Sequence, residues 1–329
     1  SIEKAPKEKV QSKKGFGIFD IIAYGATLGA ILFALIGVWL DSTSVPLVST
    51  NQSFGVSFWF NELWKLKGPA SNIMYGIFAL FILAALCVIG FGIVTIIKSI
   101  IGLLQKRPYN LQKWSVVAII PVIVYFATFR STLYTKSTLV GTKMGSGYIL
   151  TLISVIFLMI AIIGYKIVNS IKNKNFNIAK AILESAVTLF VLLALVIVPL
   201  AGYKTNGGEA GTLDLCLEIY SLDSYSSACE TWNILTMASF FAFVILLGIT
   251  LIQTTITDSI RANNVRMSMI STATAVGIFS IVAHCCLFDE LGSSLSISIG
   301  FAPILSLIFV VMGLGCLIAK VVLDKKENN

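Results

Sequence analysis

Eight apolar runs, each about as long as a bilayer is thick, constrain this chain more than any other feature. They lie near 17–40, 73–97, 114–129, 147–168, 179–203, 233–256, 267–288 and 299–323. A hydrocarbon core of roughly 30 Å takes about 20 apolar residues as helix. The third run is the weakest, because Pro121 interrupts it and Arg130 ends it early. Composition points the same way: 57% of residues are hydrophobic and 12% charged, where a soluble domain carries about a quarter charged. This composition argues against a water-soluble monomer. The formal net charge of +8 does not indicate nucleic acid, since the basic residues sit between apolar runs and form no basic face. The start of the chain is polar and lysine-rich through Lys14, and the first run is too long for the core of a signal peptide. It reads as a retained first span.

Lysine and arginine set the orientation. Lys4, Lys7, Lys9, Lys13 and Lys14 precede the first run. Lys98, Lys106, Arg107 and Lys113 lie between the second and third, and Lys166, Lys172, Lys174 and Lys180 mark the 166–180 stretch where the fourth run ends and the fifth begins. Arg261 and Arg266 follow the sixth; Lys320, Lys325 and Lys326 close the chain. With eight spans all of these fall on one side, so both termini are expected in the cytoplasm. The 130–146 connection, with Arg130, Lys136 and Lys143, is the local exception.

The halves repeat in pattern. Each reads as span, long outer loop, span, short basic inner loop, span, short outer loop, span. Asp20 parallels Glu184, Asn72-Ile73 parallels Asn233-Ile234, and "RPYNL" (Arg107–Leu111) parallels "RANNV" (Arg261–Val265). Gly147-Tyr148 and Lys166 bracket the fourth span as Gly300-Phe301 and Lys320 bracket the eighth. An even number of spans per unit makes these parallel repeats. The expected units are 1–171 and 172–329, meeting in "KNKNFN" (Lys172–Asn177).

In the second long outer loop, "TLDLCLEIY" (Thr212–Tyr220) alternates apolar and polar with period two, which predicts a strand. Cys229 then falls on the return strand. Cys216 and Cys229 on one outer loop favour a disulfide closing a hairpin in an oxidising compartment; two free thiols, or pairing to another chain, are the alternatives. No further Cys or His shares the loop, so no metal is expected there. The first long loop carries "VSFWFNELWKLKG" (Val56–Gly68), whose Trp59, Phe60 and Trp64 either pack on an outer sheet or sit in the headgroup belt. Asn51 opens an "NQS" glycosylation sequon.

Four spans with a long first outer loop, and a short second one leading into a glycine-rich fourth span, resemble the claudin-like tetraspan superfamily of claudins, peripheral myelin proteins and calcium-channel gamma subunits. Glu62-Leu63-Trp64 approximate the family's G-L-W, and Cys216 and Cys229 its two cysteines, with the tryptophan in the first half and the cysteines in the second. "ELGSSLSISIGFAPILSLIFVVMGLGCLIA" (Glu290–Ala319) enters its helix as claudins enter their fourth, with Gly300-Phe301 where Gly-Trp often stands. The resemblance implies left-handed four-helix bundles capped by a small antiparallel sheet that contacts partners. It also implies a junction-forming, membrane-organising or channel-associated role.

Catalytic constellations are poor. His284 is the single histidine; beside Cys285 and Cys286 it reads as packing rather than a metal site, since adjacent helical residues point to different sides. No HExxH, P-loop, GxSxG or CxxC occurs. Cys87 and Cys316 lie within spans; Cys316, four residues before Lys320, reads as a buried structural thiol, with palmitoylation near the cytoplasmic face as the alternative. Asp20 and Glu184 are the acids inside predicted spans, and an ionisable group at membrane depth is a functional candidate. Each lies only a turn or so into its helix, so a helix-start acid favoured by the dipole is the competing account. On the outer face the first half offers Lys65, Lys67, Arg130, Lys136 and Lys143, and the second offers Glu209, Asp214, Glu218, Asp223, Glu230, Asp289 and Glu290. Complementary patches fix register, so they are expected to meet within the chain or head-to-tail between chains.

The sequence thus predicts an all-α polytopic membrane protein with eight transmembrane helices, arranged as two parallel four-helix repeats with small β-rich extracellular loops. The expected role is structural, without catalysis, cofactor or metal. Assembly through Trp59, Trp64, Lys65, Lys67, Lys136, Glu218, Asp223 and Glu230 would join it to other membrane proteins or to itself, among membrane lipids and without nucleic acid. A eukaryotic plasma or secretory-pathway membrane is expected, and a channel, transporter or channel accessory subunit is the alternative function.

Overall fold

The computed structural model describes residues 16–41, 43–46, 51–61, 65, 70–110, 113–137, 141–172, 177–221, 226–256, 260–292 and 296–328. In chain order the elements are α1 (Ile18–Gly37), β1 (Thr43–Pro46), β2 (Asn51–Phe54), α2 (Val56–Asn61), α3 (Ala70–Leu104), α4 (Lys113–Ser131), β3 (Thr135–Ser137), β4 (Lys143–Met144) and α5 (Ser146–Lys172). There follow α6 (Ile178–Ile197), β5 (Tyr203–Thr205), β6 (Gly208–Ala210), α7 (Thr212–Ser221), α8 (Ser227–Ile256), α9 (Ile260–Leu291), β7 (Ser298–Ile299) and α10 (Phe301–Asn328). Eight of these helices are long and apolar enough to cross a membrane. Their outward faces carry large apolar side chains, among them Ile18, Ile82, Leu86, Ile156, Ile182 and Val322. Exposed apolar surface of that extent is at home in lipid rather than water. The strands and the two short helices gather at one end of the bundle, the strand end. The lysine- and arginine-rich connections lie at the other, the basic end.

Helices pack as neighbours in a regular order. In the first half α1 lies along α5 and α3 along α4, with α1 against α3 and α4 against α5. In the second half α6 lies along α10 and α8 along α9, with α6 against α8 and α9 against α10. The halves join chiefly through α4 and α8. The third span, the least apolar by mean hydropathy at 1.6, is the most enclosed, with 83% of its window buried. Protein rather than lipid surrounds α4, so it needs less hydrophobicity to stay in place. Pro121 sits inside it without ending it, as membrane helices with close neighbours permit. Threonine hydroxyls at depth donate back to the carbonyl one turn earlier, as Thr27 does to Ala23 at 2.9 Å and Thr128 to Val124 at 2.8 Å, which satisfies them without a partner helix.

Each half also builds its strand end alike. β1 pairs antiparallel with β2 and with β4, the strand just before α5. β5 pairs antiparallel with β6 and with β7, the strand just before α10. A short helix, α2 or α7, follows each hairpin. The last strand then turns into its helix beneath the end of the first. The Gly147 amide donates to the Asp41 carbonyl at 2.9 Å, and the Ala302 amide to the Ala201 carbonyl at 3.0 Å. A Cβ on Gly147 would stand 2.6 Å from the Gly37 carbonyl oxygen, and one on Gly300 would collide with the carbonyl of Ala201. β3 extends the second sheet across the boundary by pairing with β6.

Two expectations are corrected here. Thr212–Ser221 is a helix, not a strand. Its apolar positions fit a 3.6 period once Cys216 and Tyr220 count as apolar: Leu213 and Cys216 face the main core, while Leu215 and Ile219 face a smaller cluster with Tyr203 and Leu287. Ser131 Oγ accepts from the Leu213 amide at 3.2 Å and so satisfies an early N–H of the helix. The hairpin lies earlier, over Tyr203–Ala210, where the two-residue Asn206-Gly207 loop leaves Thr205 opposite Gly208. Secondly, no disulfide closes this region: Cys216 and Cys229 are both free, buried thiols, on α7 and α8 and in different clusters.

Candidate functional site

The densest polar chemistry at membrane depth lies near the basic end, around Glu184. Asn177 caps α6, its side-chain oxygen accepting from the Ala179 amide at 3.1 Å. That start sets Glu184 under two turns in. Its Oε1 accepts from Arg266 Nη1 at 3.2 Å and faces Lys166 Nζ at 3.5 Å and Lys320 Nζ at 3.6 Å. The cations come from α9, α5 and α10. Lys166 Nζ also donates to the Thr254 carbonyl at 3.3 Å, and Arg266 donates to the carbonyls of Thr254 and Gln253 at 3.4 Å each. These carbonyls belong to the last turn of α8, the negative end of its dipole. Three cations against one carboxylate are thereby balanced, and five helices from both halves are tied at one point. The space lined by Glu184, Val187, Thr254, Arg266, Leu317 and Lys320 has a volume of about 0 Å³, so no water fits it. Beside it Lys180 Nζ meets Asp324 Oδ1 at 2.7 Å.

Asp20 occupies a different setting. Its two oxygens accept from the amides of Gly17 at 2.8 Å and Tyr109 at 2.7 Å. It closes the start of α1 and latches the α3–α4 connection onto it, the geometry of a helix-start acid. Tyr109 adds a 2.8 Å hydrogen bond to Thr27 and an edge-on ring contact with Tyr24 at 4.9 Å. Asp20 and Glu184, parallel in sequence, are therefore each occupied by protein partners.

At the strand end, Trp59 is not a surface residue. It is 0% exposed, ringed by Phe129 at 4.8 Å, Phe58 at 5.1 Å and Phe78 at 5.7 Å, and its indole N–H donates to the Tyr125 hydroxyl at 2.9 Å. Arg130, expected on the outer basic surface, is buried against the ring faces of Tyr134 and Tyr148 at 5.6 and 5.4 Å. Lys136 stands opposite Glu209 in the β3–β6 ladder, and Glu209 stands opposite Lys204 in β5. Along these strands the basic and acidic loops meet within one chain. Lys65 and Glu230 are exposed. Glu218 is also exposed and accepts from the Tyr203 hydroxyl at 3.1 Å. Burial, then the charges of Asp214 and Glu218, push that hydroxyl well above the usual tyrosine range. Trp64, Lys67 and Asp223 lie outside the described residues, and Asn51 sits on β2.

His284 bridges Ser280 O at 2.6 Å and Thr212 Oγ1 at 3.1 Å, and so ties α9 to α7. Cys216 is interlocked with Asn233, whose side-chain amide donates to the Cys216 carbonyl at 3.2 Å. Burial, then Asp214, raises the Cys216 thiol to about 12. Among the described residues no group of His, Cys, Asp and Glu is placed to hold a metal. Sequence reasoning found Glu184 but counted Lys166, Arg266 and Lys320 as topological flanks. Their signal was that each lies inside or at the edge of an apolar run rather than in the connection beyond it.

Comparison with protein-family models, with curated proteins and with solved structures found no match.

Proposed function

We propose that the protein is a structural membrane component, built as two tandem claudin-like four-helix units, that organises other membrane proteins or copies of itself through its strand end. The observation that carries this reading is the use of the two membrane-depth acids. Asp20 caps a helix and latches a connection, and Glu184, its side chain 20% exposed, is held by three cations with a space of about 0 Å³ between them. A conducting path needs polar groups that face water or exchange partners; these are consumed by packing. The packed aromatic cluster around Trp59 adds a rigid floor beneath the first sheet. The tandem reading is supported by the matching helix neighbours, strand pairings and short helices of the two halves.

With Trp59 buried, the described groups left exposed at the strand end include Phe60, Lys65 and Glu230. The test is the mass of the particle extracted from its native membrane, read beside flux assays in sealed vesicles. A particle well above the 35.6 kDa chain, reduced by a Phe60→Asp/Lys65→Glu variant, supports the reading. A monomer that carries ions or solutes refutes it.

A further inference from the structure

We infer that the basic end of the first half holds a binding pocket for a phosphate-bearing anion, supplied by an anionic lipid headgroup. The pocket, about 810 Å³, is lined by residues from α1, α3, α4, the α3–α4 connection and the end of α8. Lys98, Arg107 and Lys113 bring three cations to it, and no carboxylate is among its described lining residues. The nearest acid in sequence to Tyr24, Asp20, is already taken by the Gly17 and Tyr109 amides. Unlike the cations around Glu184, none of these three pairs with a carboxylate among the described residues.

The rest of the lining suits a headgroup. Tyr24 is 3% exposed, yet it reaches the pocket, and its hydroxyl forms no hydrogen bond among the described residues. Gly102 makes that position possible, since a Cβ there would run into the Tyr24 hydroxyl. Asn110 accepts from Tyr165 through its side-chain oxygen at 3.3 Å, which leaves its amide hydrogens to donate. Trp114 stacks on Phe91 at 5.1 Å and carries Lys98 5.9 Å above its ring, which fixes both at the rim. Donors thus converge on a concave site with no carboxylate among the described residues that line it.

A lipid is favoured over a free phosphate compound by what borders the pocket. Ile101 lines it, and Ile97 and Leu104 on the same end of α3 are 52% and 78% exposed. Acyl chains would lie along that ridge while the headgroup sits among the cations. Basic pockets between helices at the positively flanked side of a membrane are where anionic headgroups bind.

The test is a titration of the detergent-solubilised full chain. The probes are dioctanoyl phosphatidylinositol bisphosphate, dioctanoyl phosphatidylcholine and inositol trisphosphate. Saturable binding of the anionic lipid and none of the zwitterionic one is expected. Each cation at an anionic headgroup is worth about a factor of five, so Lys98→Gln/Arg107→Gln should weaken binding about 30-fold. Lys325→Gln/Lys326→Gln removes the same charge elsewhere on the basic end and should stay within about threefold. All four side chains are exposed, and an unchanged thermal midpoint checks the fold of both variants. Inositol trisphosphate binding as tightly as the lipid, with the same variant pattern, keeps the phosphate site and rejects the lipid as its source. Equal weakening by the two double variants, or no saturable binding of either phosphate probe, overturns the proposal.

Discussion

Replacing Glu184 with glutamine tests whether the ionic cluster is a structural knot. The carboxylate faces three cations between 3.2 and 3.6 Å away, and its side chain is 20% exposed. Glutamine keeps the shape and one acceptor but removes the charge, leaving Lys166, Arg266 and Lys320 to repel one another near the last carbonyls of α8. Stranding buried charge in this way costs about 3–5 kcal/mol, with the lower end appropriate to a partly exposed acid. An unfolding entropy of about 2.1 cal/mol/K per residue, over 329 residues, gives roughly 0.7 kcal/mol per degree. The apparent melting temperature in detergent should therefore fall by about 4–7 °C. Adding Lys320→Gln to Glu184→Gln should recover part of the loss, since one of the three unbalanced charges is gone. Because the three cations are only 2–12% exposed, about 0.5 M salt should change the single variant's deficit little. A Glu184→Gln midpoint within about 1 °C of the parent would refute the argument. So would a double variant that loses as much as its two singles added together, because additivity would mean the cations do not depend on the acid.

Trp59→Ala should cost about 3–5 kcal/mol by emptying the aromatic cluster, and Trp59→Phe less, with Tyr125 left without its donor; in both, thermal midpoint should fall while particle mass is unchanged, whereas a mass change at constant midpoint would restore Trp59 to the surface. Gly147→Ala should cost about 1–3 kcal/mol, because a methyl group there meets the Gly37 carbonyl oxygen at 2.6 Å; a midpoint equal to the parent's would show that the α1–α5 contact is looser than described. Alkylation without reductant should modify Cys216 and Cys229 only after denaturation, and mass spectrometry should find no cross-link between them; a 216–229 disulfide peptide contradicts this. The Cys216 thiol titrates near 9.0 when exposed and at about 12 when buried, so the folded state holds its proton longer. Its contribution is present below pH 9.0 and falls as pH rises from there to about 12, which a Cys216→Ser variant should flatten over that window in a stability–pH profile.

What could be read from the sequence followed from local physics. Eight apolar runs gave eight membrane-length helices because hydrophobicity summed over about 20 residues needs no knowledge of neighbours. The Asn206-Gly207 pair is an equally local signal for the β5–β6 hairpin. Thr212–Tyr220 is ambiguous by pattern, because Leu213, Leu215, Leu217 and Ile219 fit period two while Cys216 and Tyr220 also complete a helical stripe. Only packing against Ser131, Asn233 and the second sheet selects the helix.

The sequence by itself determined the number, length and approximate bounds of the spans, the concentration of basic residues at their alternate ends, and the acids at depth. Tertiary structure decided which residues those acids meet. Lys166, Arg266 and Lys320 come from three helices far apart in the chain, and no spacing rule relates them to Glu184. It likewise enclosed the least apolar span most, because other helices cover most of α4. Hydropathy measures the cost of facing a bilayer; it carries no information about a helix that never does.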